Sequence, residues 1–254
     1  MWKKLLLALC LGGFALHVVA ADNNGVPPQV DKTIRAALAK FASKVVIDTI
    51  EPSPLPGFYQ VIASGQLVYV SADGKYMVNG DLVDIDQHKS LSDVAWARFR
   101  KAELAKVPQS ERIVFAPPHP KATLTVFTDV NCGFCRELHE HIADFNKAGF
   151  AVEYLAWPRE GVNTTAGRPT PTYSEMVSVW CAADRKAAFT EAKQGHAPKA
   201  LTCTNPVKDE FELGVRLGVT GTPTIITQDG RVLGGYITAQ QALDDLKKHP
   251  VEGS

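Results

Sequence analysis

The chain has 254 residues, 45% of them hydrophobic, and its 27 basic residues balance 27 acidic ones. This length allows two modest domains, and the neutral balance argues against the strongly basic surface that binds nucleic acid or anionic membranes. Five cysteines are present, so disulfide or redox chemistry is the first question that the sequence raises.

The first 20 residues have the pattern of a secretory signal peptide. Lys3 and Lys4 precede an apolar run over 5–20, and Ala20 offers a small residue for cleavage. A membrane anchor is the alternative, but the run is shorter than the roughly 18–20 residues that a spanning helix needs, which favours cleavage. No second long apolar run follows, and we predict no membrane insertion. Cleavage also removes Cys10, which leaves four cysteines in an oxidising compartment.

Residues 21–88 are predicted to form a small N-terminal domain. Apolar residues recur at helical spacing over 29–41, and residues 44–86 hold four or five short strand-like runs separated by turn dipeptides such as Asp73-Gly74 and Asn79-Gly80. Such a unit is marginal alone and leaves unpaired strand edges. We therefore predict a dimerisation domain, with packing against the rest of its own chain as the alternative.

Residues 89–110 are predicted to form a linker helix. Charged and apolar residues are interspersed from Ser90 to Lys106, Ser90 or Ser92 can cap the helix, and Pro108 ends it. A charged helix between two unlike halves favours a linker that holds two domains apart. An ordinary surface helix of the second half is the alternative.

Residues 111–254 alternate between strand-like and helix-like segments, which predicts an α/β domain. A strand at 123–129, a helix at 134–147 and a strand at 151–157 form a parallel crossover unit. A polar loop and two or three short helices follow up to about Gly218. Two further strands and a closing helix are predicted at 224–227, 231–233 and 239–248.

The segment Cys132-Gly133-Phe134-Cys135 lies where the strand meets the helix. Cysteines at i and i+3 of a first helical turn share a face and can form a disulfide. The helix N-terminus favours a thiolate, so Cys132 is the predicted nucleophile, exposed and partly ionised, and Cys135 is the more buried resolving thiol. Half of a zinc site and a structural disulfide are the alternatives. No further cysteine pair or histidine has matching spacing, and we predict no metal and no cofactor.

Cys181 and Cys203 form the second cysteine pair, and a structural disulfide is its predicted role, with redox work as the alternative. Thr222-Pro223 precedes a strand. Most such prolines are trans, whereas a cis bond beside the dithiol would present backbone groups to an extended substrate chain.

Four polar residues near the dithiol carry weaker signals. His139 and His141, two positions apart on the helix, point to different faces, and we predict that both lie on the surface. Asp129 and Arg159 follow two strands. We interpret them as solvated surface charges, with tuning of a cysteine pKa as the alternative.

Several segments match one family together with the dithiol: Phe127-Thr128-Asp129, Arg136–Glu140, Tyr154–Arg159, Trp180-Cys181-Ala182 and Leu217–Pro223. They resemble the DsbC family of bacterial periplasmic disulfide isomerases, in the thioredoxin superfamily. The resemblance covers nearly all of the mature chain and is strongest from about residue 112. Phe134 is a departure, since the family often has tyrosine there.

The resemblance implies a thioredoxin-fold catalytic domain with a helical insertion at about 160–218, joined by the linker helix to the dimerisation domain. Two chains would form a V-shaped homodimer in the periplasm, with the dithiols facing a cleft for misfolded disulfide-containing proteins. Cys132 would attack a wrong disulfide and Cys135 would resolve the adduct. Pro223 would be a cis-proline after Thr222, and Cys181–Cys203 a stable disulfide.

Together with this resemblance, the sequence predicts a dimeric thiol–disulfide isomerase and reductase with chaperone-like binding. The resemblance also implies that a DsbD-type membrane reductase keeps the dithiol reduced. The alternatives are a DsbG-like reductase or chaperone, a dithiol oxidase, and a holdase whose disulfide is incidental. A DsbG-like protein fits less well, because we expect a different dithiol motif and no second cysteine pair in it.

Overall fold

The computed structural model describes residues 25–249. They form three β-sheets and eight α-helices, in the mixed arrangement that the sequence predicts. Within this range, none of the helices combines the length and the apolar character needed to cross a membrane. The predicted signal peptide at 1–20 lies outside the described residues.

The N-terminal part consists of one helix against a small antiparallel sheet. Helix α1 buries Ile34 and Leu38 against strand residues that include Val61. The sheet has the order β1-β2-β3-β4, and β5 pairs separately with β6. The first strand begins at Ile47, later than predicted. The elements are α1 (Pro28–Phe41), β1 (Ile47–Pro52), β2 (Phe58–Ala63), β3 (Gln66–Ser71), β4 (Met77–Asn79), β5 (Val83–Asp84) and β6 (Lys89–Ser90).

Helix α2 (Leu91–Leu104) follows at once and contacts both halves of the chain. The Ser90 hydroxyl caps it by accepting from the Asp93 N–H. Near its start, the Ser92 hydroxyl lies 2.7 Å from the Tyr69 hydroxyl in β3. One turn before its end, the Arg100 guanidinium donates to the Leu217 carbonyl at 3.0 Å and stacks over Trp96. A linker role for 89–110 stays a prediction.

The C-terminal part is built on a five-stranded sheet with the order β11-β10-β8-β9-β7. Strands β8 and β9 are parallel and central, and the other pairings are antiparallel. All seven residues of β9 are buried, as expected for a strand covered on both faces. The strands are β7 (Ile113–Phe115), β8 (Ala122–Thr128), β9 (Phe150–Ala156), β10 (Thr224–Thr227) and β11 (Val232–Gly234).

Six helices cover this sheet: α3 (Gly133–Glu140), α4 (Ile142–Ala148), α5 (Pro171–Trp180), α6 (Arg185–Lys193), α7 (Val207–Arg216) and α8 (Ala239–Lys248). The prediction of one helix over 134–147 is wrong, because His141 leaves the helical conformation with φ −94° and ψ 16°. Its N–H still bonds to the Glu137 carbonyl, and its own carbonyl accepts from the Asp144 N–H. The apolar spacing of Leu138 and Phe145 continues across the break, so the pattern did not reveal it.

Candidate active site

The two free cysteines of the described chain lie at the start of α3, shortly after the end of β8. Cys132 occupies the N-cap position of α3 and Cys135 lies in its first turn. Only 3% of Cys132 and 1% of Cys135 is exposed. The prediction of an exposed Cys132 is therefore wrong. The sulfur lies 3.1 Å from the Thr222 carbonyl oxygen, so a distant loop covers the thiol that the motif alone places at the surface.

The two thiols differ strongly in acidity. A hydrogen bond from the Cys135 thiol lowers the pKa of Cys132 from 9.0 to about 5, and the Thr222 side chain and the Arg159 charge act in the same direction. Burial, followed by the hydrogen bond to Cys132, raises the pKa of Cys135 far above its ordinary value. At neutral pH Cys132 is a thiolate and Cys135 keeps its proton. This is the difference between an attacking and a resolving thiol.

The Thr222–Pro223 peptide is cis and lies beside the dithiol. Strand β10 pairs antiparallel with β8, and Thr224 stands opposite Phe127. This register places the residues before β10 next to those that follow β8. The Thr224 hydroxyl donates to the Gly221 carbonyl at 2.7 Å and holds the turn.

The two residues between the cysteines differ in exposure. Gly133 opens α3, and a Cβ added there would meet nothing within 4 Å. Phe134 is 62% exposed, and its ring stacks on Tyr236 with a centroid distance of 6.4 Å. The dithiol thus has an apolar rim on its solvent side. Tyr236, which the sequence analysis did not single out, reaches this rim from the segment between β11 and α8.

Asp129 is not the solvated charge that we predicted, because only 1% of it is exposed. One carboxylate oxygen accepts from the Asn131 N–H at 2.7 Å, and the other accepts from the Arg159 N–H at 2.8 Å. These backbone donors replace water and shape the loop before Cys132. Arg159 is half-exposed, and its positive charge contributes to the low pKa of Cys132.

His139 is also buried, which contradicts its predicted place on the surface, whereas His141 is exposed as predicted. The His139 ring lies 3.1 Å from the Tyr154 hydroxyl and 3.0 Å from the Thr190 hydroxyl. Burial, and then the charge of Lys193, lowers its pKa to about 4, so the ring is neutral at physiological pH. These partners satisfy both ring nitrogens, which makes burial of the histidine tolerable.

Lys193 is the functional candidate that the sequence analysis missed. Its side chain is buried behind the dithiol, and its Nζ donates to the Thr128 hydroxyl at 2.7 Å and to the Asp129 carbonyl at 2.9 Å. A signal was present in the sequence. Lys193 stands four residues after the buried Phe189, on the apolar face of α6.

Cys181 and Cys203 form a disulfide with a Cα–Cα distance of 5.7 Å. It links the end of α5 to the segment before α7, within the helical region that lies between β9 and β10 in the chain. Over residues 25–249, no group of three or more histidine, cysteine, aspartate or glutamate side chains is arranged to hold a metal ion.

Two family models match this chain and together span nearly all of it. Residues 20–93 match the model described as disulfide bond isomerase protein N-terminal domain. Residues 109–249 match the model described as thioredoxin-like domain.

Curated relatives agree with these models. The chain is 33% identical over 237 residues to the thiol:disulfide interchange protein DsbC of Escherichia coli, covering 93% of this chain and 96% of that protein. Its identity to the Salmonella typhimurium protein of the same name is 34%, covering 93% and 95%. A solved disulfide interchange protein from Neisseria gonorrhoeae aligns with a TM-score of 0.48 and 26% identity, over 57% of this chain and all of that one. The chain is a thiol–disulfide oxidoreductase and belongs to the DsbC family of thiol:disulfide interchange proteins.

Proposed function

We propose that this protein rearranges incorrect disulfides in exported proteins, as a homodimer in the periplasm, through Cys132 and Cys135. One observation supports the catalytic part of this proposal. A nucleophilic sulfur with a pKa of about 5 lies against a second thiol that stays protonated at neutral pH. Such a pair can attack a disulfide and can also release itself from the adduct.

The reaction begins with the Cys132 thiolate. It attacks one sulfur of a client disulfide, the client's other sulfur leaves as a thiolate, and a mixed disulfide with Cys132 forms. Either a client thiol then attacks the adduct and forms a new pairing, or Cys135 attacks Cys132 and releases a reduced client. The low pKa of Cys132 assists both outcomes, because it also makes this sulfur a good leaving group.

The surroundings of Cys132 suit an unfolded client chain. Phe134 and Tyr236 offer an apolar rim to the side chains that a misfolded protein exposes. Pro223 places the backbone of Thr222 at the sulfur, where an extended client segment can contact it. We assign this contact, and no chemical step, to Thr222 and Pro223. Cys181–Cys203 is assigned a structural role.

Residues 21–88 support the proposal of a dimer. All three residues of β4 are exposed, and among the described residues β4 pairs on one side only, with β3. Exposed apolar side chains occur in β4 and in the residues close to it along the chain: Tyr76, Met77, Val78, Val83 and Ile85. An open edge with apolar residues favours pairing with a second copy. The face of the sheet that carries Ile62, Leu67 and Tyr69 packs on α2 and the C-terminal part. Strand β1 is the other edge of the sheet, but most of its residues are half-buried, so we assign the fully exposed β4 to the partner chain.

Export depends on the predicted signal peptide, and the periplasm is the compartment that fits it. A dithiol that corrects disulfides must be returned to its reduced state in that oxidising environment. We therefore propose a DsbD-type membrane reductase as the electron donor.

Scrambled substrate tests the catalytic proposal. A small secreted protein with randomly paired disulfides should regain activity with the wild type and stay inactive with Cys132→Ala. Cys135→Ala should accumulate client proteins as mixed disulfides in cells. Unchanged activity of Cys132→Ala would leave a binding protein as the better explanation, and a mostly oxidised pair in cells would favour the dithiol oxidase.

Sedimentation tests the dimer separately. The doubly substituted variant Met77→Lys/Val78→Lys places charges on the β4 edge and should sediment as a monomer. Val232→Lys, at an exposed apolar residue of β11, is the matched control and should remain a dimer. Equal sedimentation of both variants would show that the chains do not pair through β4.

A further inference from the structure

Lys193 is a buried cation that the reaction described above does not use. Only 4% of the residue is exposed, and Phe189 lies beneath its ammonium group at 4.9 Å. Removing a lysine from water is costly unless it serves a partner. Burial lowers its pKa from 10.5 to about 8, so a neutral amine is accessible near physiological pH.

Thr128 stands between this lysine and the resolving cysteine. Its hydroxyl lies 2.7 Å from the Lys193 Nζ, and hydrogen bonding of Thr128 to the Cys135 sulfur acts to lower the pKa of that thiol. The Asp129 carbonyl, 2.9 Å from Nζ, holds the lysine in this position. A hydroxyl can accept one hydrogen bond and donate another, so Thr128 connects the thiol to the amine.

We propose that Lys193 takes the proton of Cys135, through the Thr128 hydroxyl, when Cys135 attacks the mixed disulfide on Cys132. This inference rests on the proposed roles of the two cysteines. Lys193 acts through Thr128 and is therefore a positioning residue for the proton, whereas Cys135 carries the reaction.

The Cys135 thiol gives its proton to the Thr128 oxygen, which passes its own hydrogen to the Lys193 amine. The Cys135 sulfur then attacks the Cys132 sulfur, their disulfide forms, and the bond from Cys132 to the client breaks. The client sulfur leaves with the electron pair and takes a proton from water. The enzyme dithiol is oxidised and the client disulfide is reduced.

The proton also has a route out. An open cleft of about 550 Å³ reaches Lys193 between α3 and α6, and Arg136, His139, Glu140, Ile142, Thr190 and Gln194 line the rest of it. After the attack, the Lys193 ammonium can return its proton to solvent there.

Burial is the main cause that lowers the pKa of Lys193, and most of the charges around it act in the opposite direction. Cys132, Cys135 and Asp129, from the β8 end and α3, favour the ammonium, and Arg136 from α3 opposes it. His139 from α3 lies close enough to feel the charge of Lys193, but it stays neutral above about pH 4. Formation of the Cys135 thiolate therefore raises the proton affinity of the lysine that receives its proton.

The test separates the two halves of the reaction in the full mature protein. Oxidised glutathione first forms the Cys132 adduct, and release of glutathione then reports attack by Cys135. In Lys193→Met we expect adduct formation at the wild-type rate and release about 10²-fold slower at pH 7, with its pH profile moved to higher pH. Loss of adduct formation in Lys193→Met would contradict the proposal, whereas failure of the wild type to form the adduct would count against the proposed role of Cys132.

Two further comparisons distinguish proton transfer from packing or charge. Lys193→Arg keeps the positive charge but cannot accept a proton, so release should stay slow. Thr128→Val removes the connecting hydroxyl and should be slow, whereas Thr128→Ser should release glutathione at the wild-type rate. This pair tests the proposal even if Lys193→Met does not fold. Wild-type release in Lys193→Arg or in Thr128→Val would overturn it.

Discussion

The Cys132 sulfur and the Thr222 carbonyl oxygen lie 3.1 Å apart, although 90 residues separate them in the chain. The thiol form can donate to this carbonyl. The thiolate cannot, and it depends on donors instead: the Cys135 thiol first, and then the Thr222 side chain. The Thr222 hydroxyl is buried and has no other hydrogen-bond partner among the described residues. Protonation of Cys132 thus changes which groups it binds.

The first prediction concerns the acidity of Cys132. The rate of alkylation of Cys132 in the reduced protein should show its inflection near pH 5, because alkylation follows the thiolate. Cys135→Ala removes the largest cause of the low pKa and should move the inflection upward. Cys135→Ser keeps a hydroxyl donor and should move it less. An inflection that stays near pH 5 in Cys135→Ala would show that the second thiol does not stabilise the thiolate.

The second prediction concerns His139 and acid stability. Its pKa of about 4 lies below the ordinary 6.5, so as pH falls through 6.5 the unfolded chain takes up a proton first. Stability should therefore fall between pH 6.5 and pH 4. In the oxidised protein, where the dithiol does not titrate, the wild type should lose roughly 1–2 kcal/mol more than His139→Gln between pH 7 and pH 5. Urea unfolding at both pH values measures this difference.

His141 provides the matched control for that experiment. It lies two residues away and is exposed, so His141→Gln should keep the pH dependence of the wild type. If His139→Gln and the wild type lose equal stability on acidification, another group is responsible.

The third prediction concerns the buried ion pair between Arg112 and Glu153. The Arg112 Nη1 and the Glu153 Oε2 lie 2.5 Å apart, and about nine-tenths of each side chain is buried. Glu153→Gln leaves the guanidinium without its counter-charge and should lower the free energy of unfolding by about 3–5 kcal/mol. Glu212→Gln, in an exposed pair with Lys208, should change it by about 0–1 kcal/mol. Denaturant unfolding measures both free energies. Similar losses of stability in Glu153→Gln and Glu212→Gln would mean that burial of the ion pair does not determine the effect.

The fourth prediction concerns Gly214 in α7. A Cβ at this position would lie 2.5 Å from the Trp157 ring and 3.1 Å from Phe127. Gly214→Ala should therefore destabilise the protein by about 1–3 kcal/mol, despite the better helix propensity of alanine. Lys208→Ala, at an exposed position of the same helix, is the control and should unfold at nearly the wild-type temperature. A higher unfolding temperature for Gly214→Ala would contradict the predicted clash.

Local patterns in the sequence predict much of this molecule. The apolar spacing in α1 and the strand before Cys132 depend on neighbours along the chain, and the structure agrees with both. The dithiol at a helix start is likewise a local feature. The predictions that were wrong concern side chains whose burial depends on residues far apart in the sequence. Cys132 is covered by Thr222, and His139 is buried because Tyr154 and Thr190 satisfy its ring.

Lys193 is a functional candidate that the sequence pattern alone could not identify. Its four-residue spacing from Phe189 marks an apolar helix face, but spacing cannot reveal what that face covers. Its partner Thr128 lies 65 residues earlier, at the end of a strand. Only the packing of α6 against the end of β8 brings the amine to the dithiol.

The two contacts of α2 restrict where residues can be inserted or deleted during the evolution of this chain. Ser92 meets Tyr69 in the N-terminal sheet, and Arg100 meets the carbonyl of Leu217 ahead of the cis-proline turn. One residue inserted between Ser92 and Arg100 would rotate the arginine by about 100° and shift it by about 1.5 Å, so that both contacts could not persist. We therefore expect homologues to differ by substitution in this stretch of helix. Insertions and deletions should fall instead in exposed loops such as 161–169.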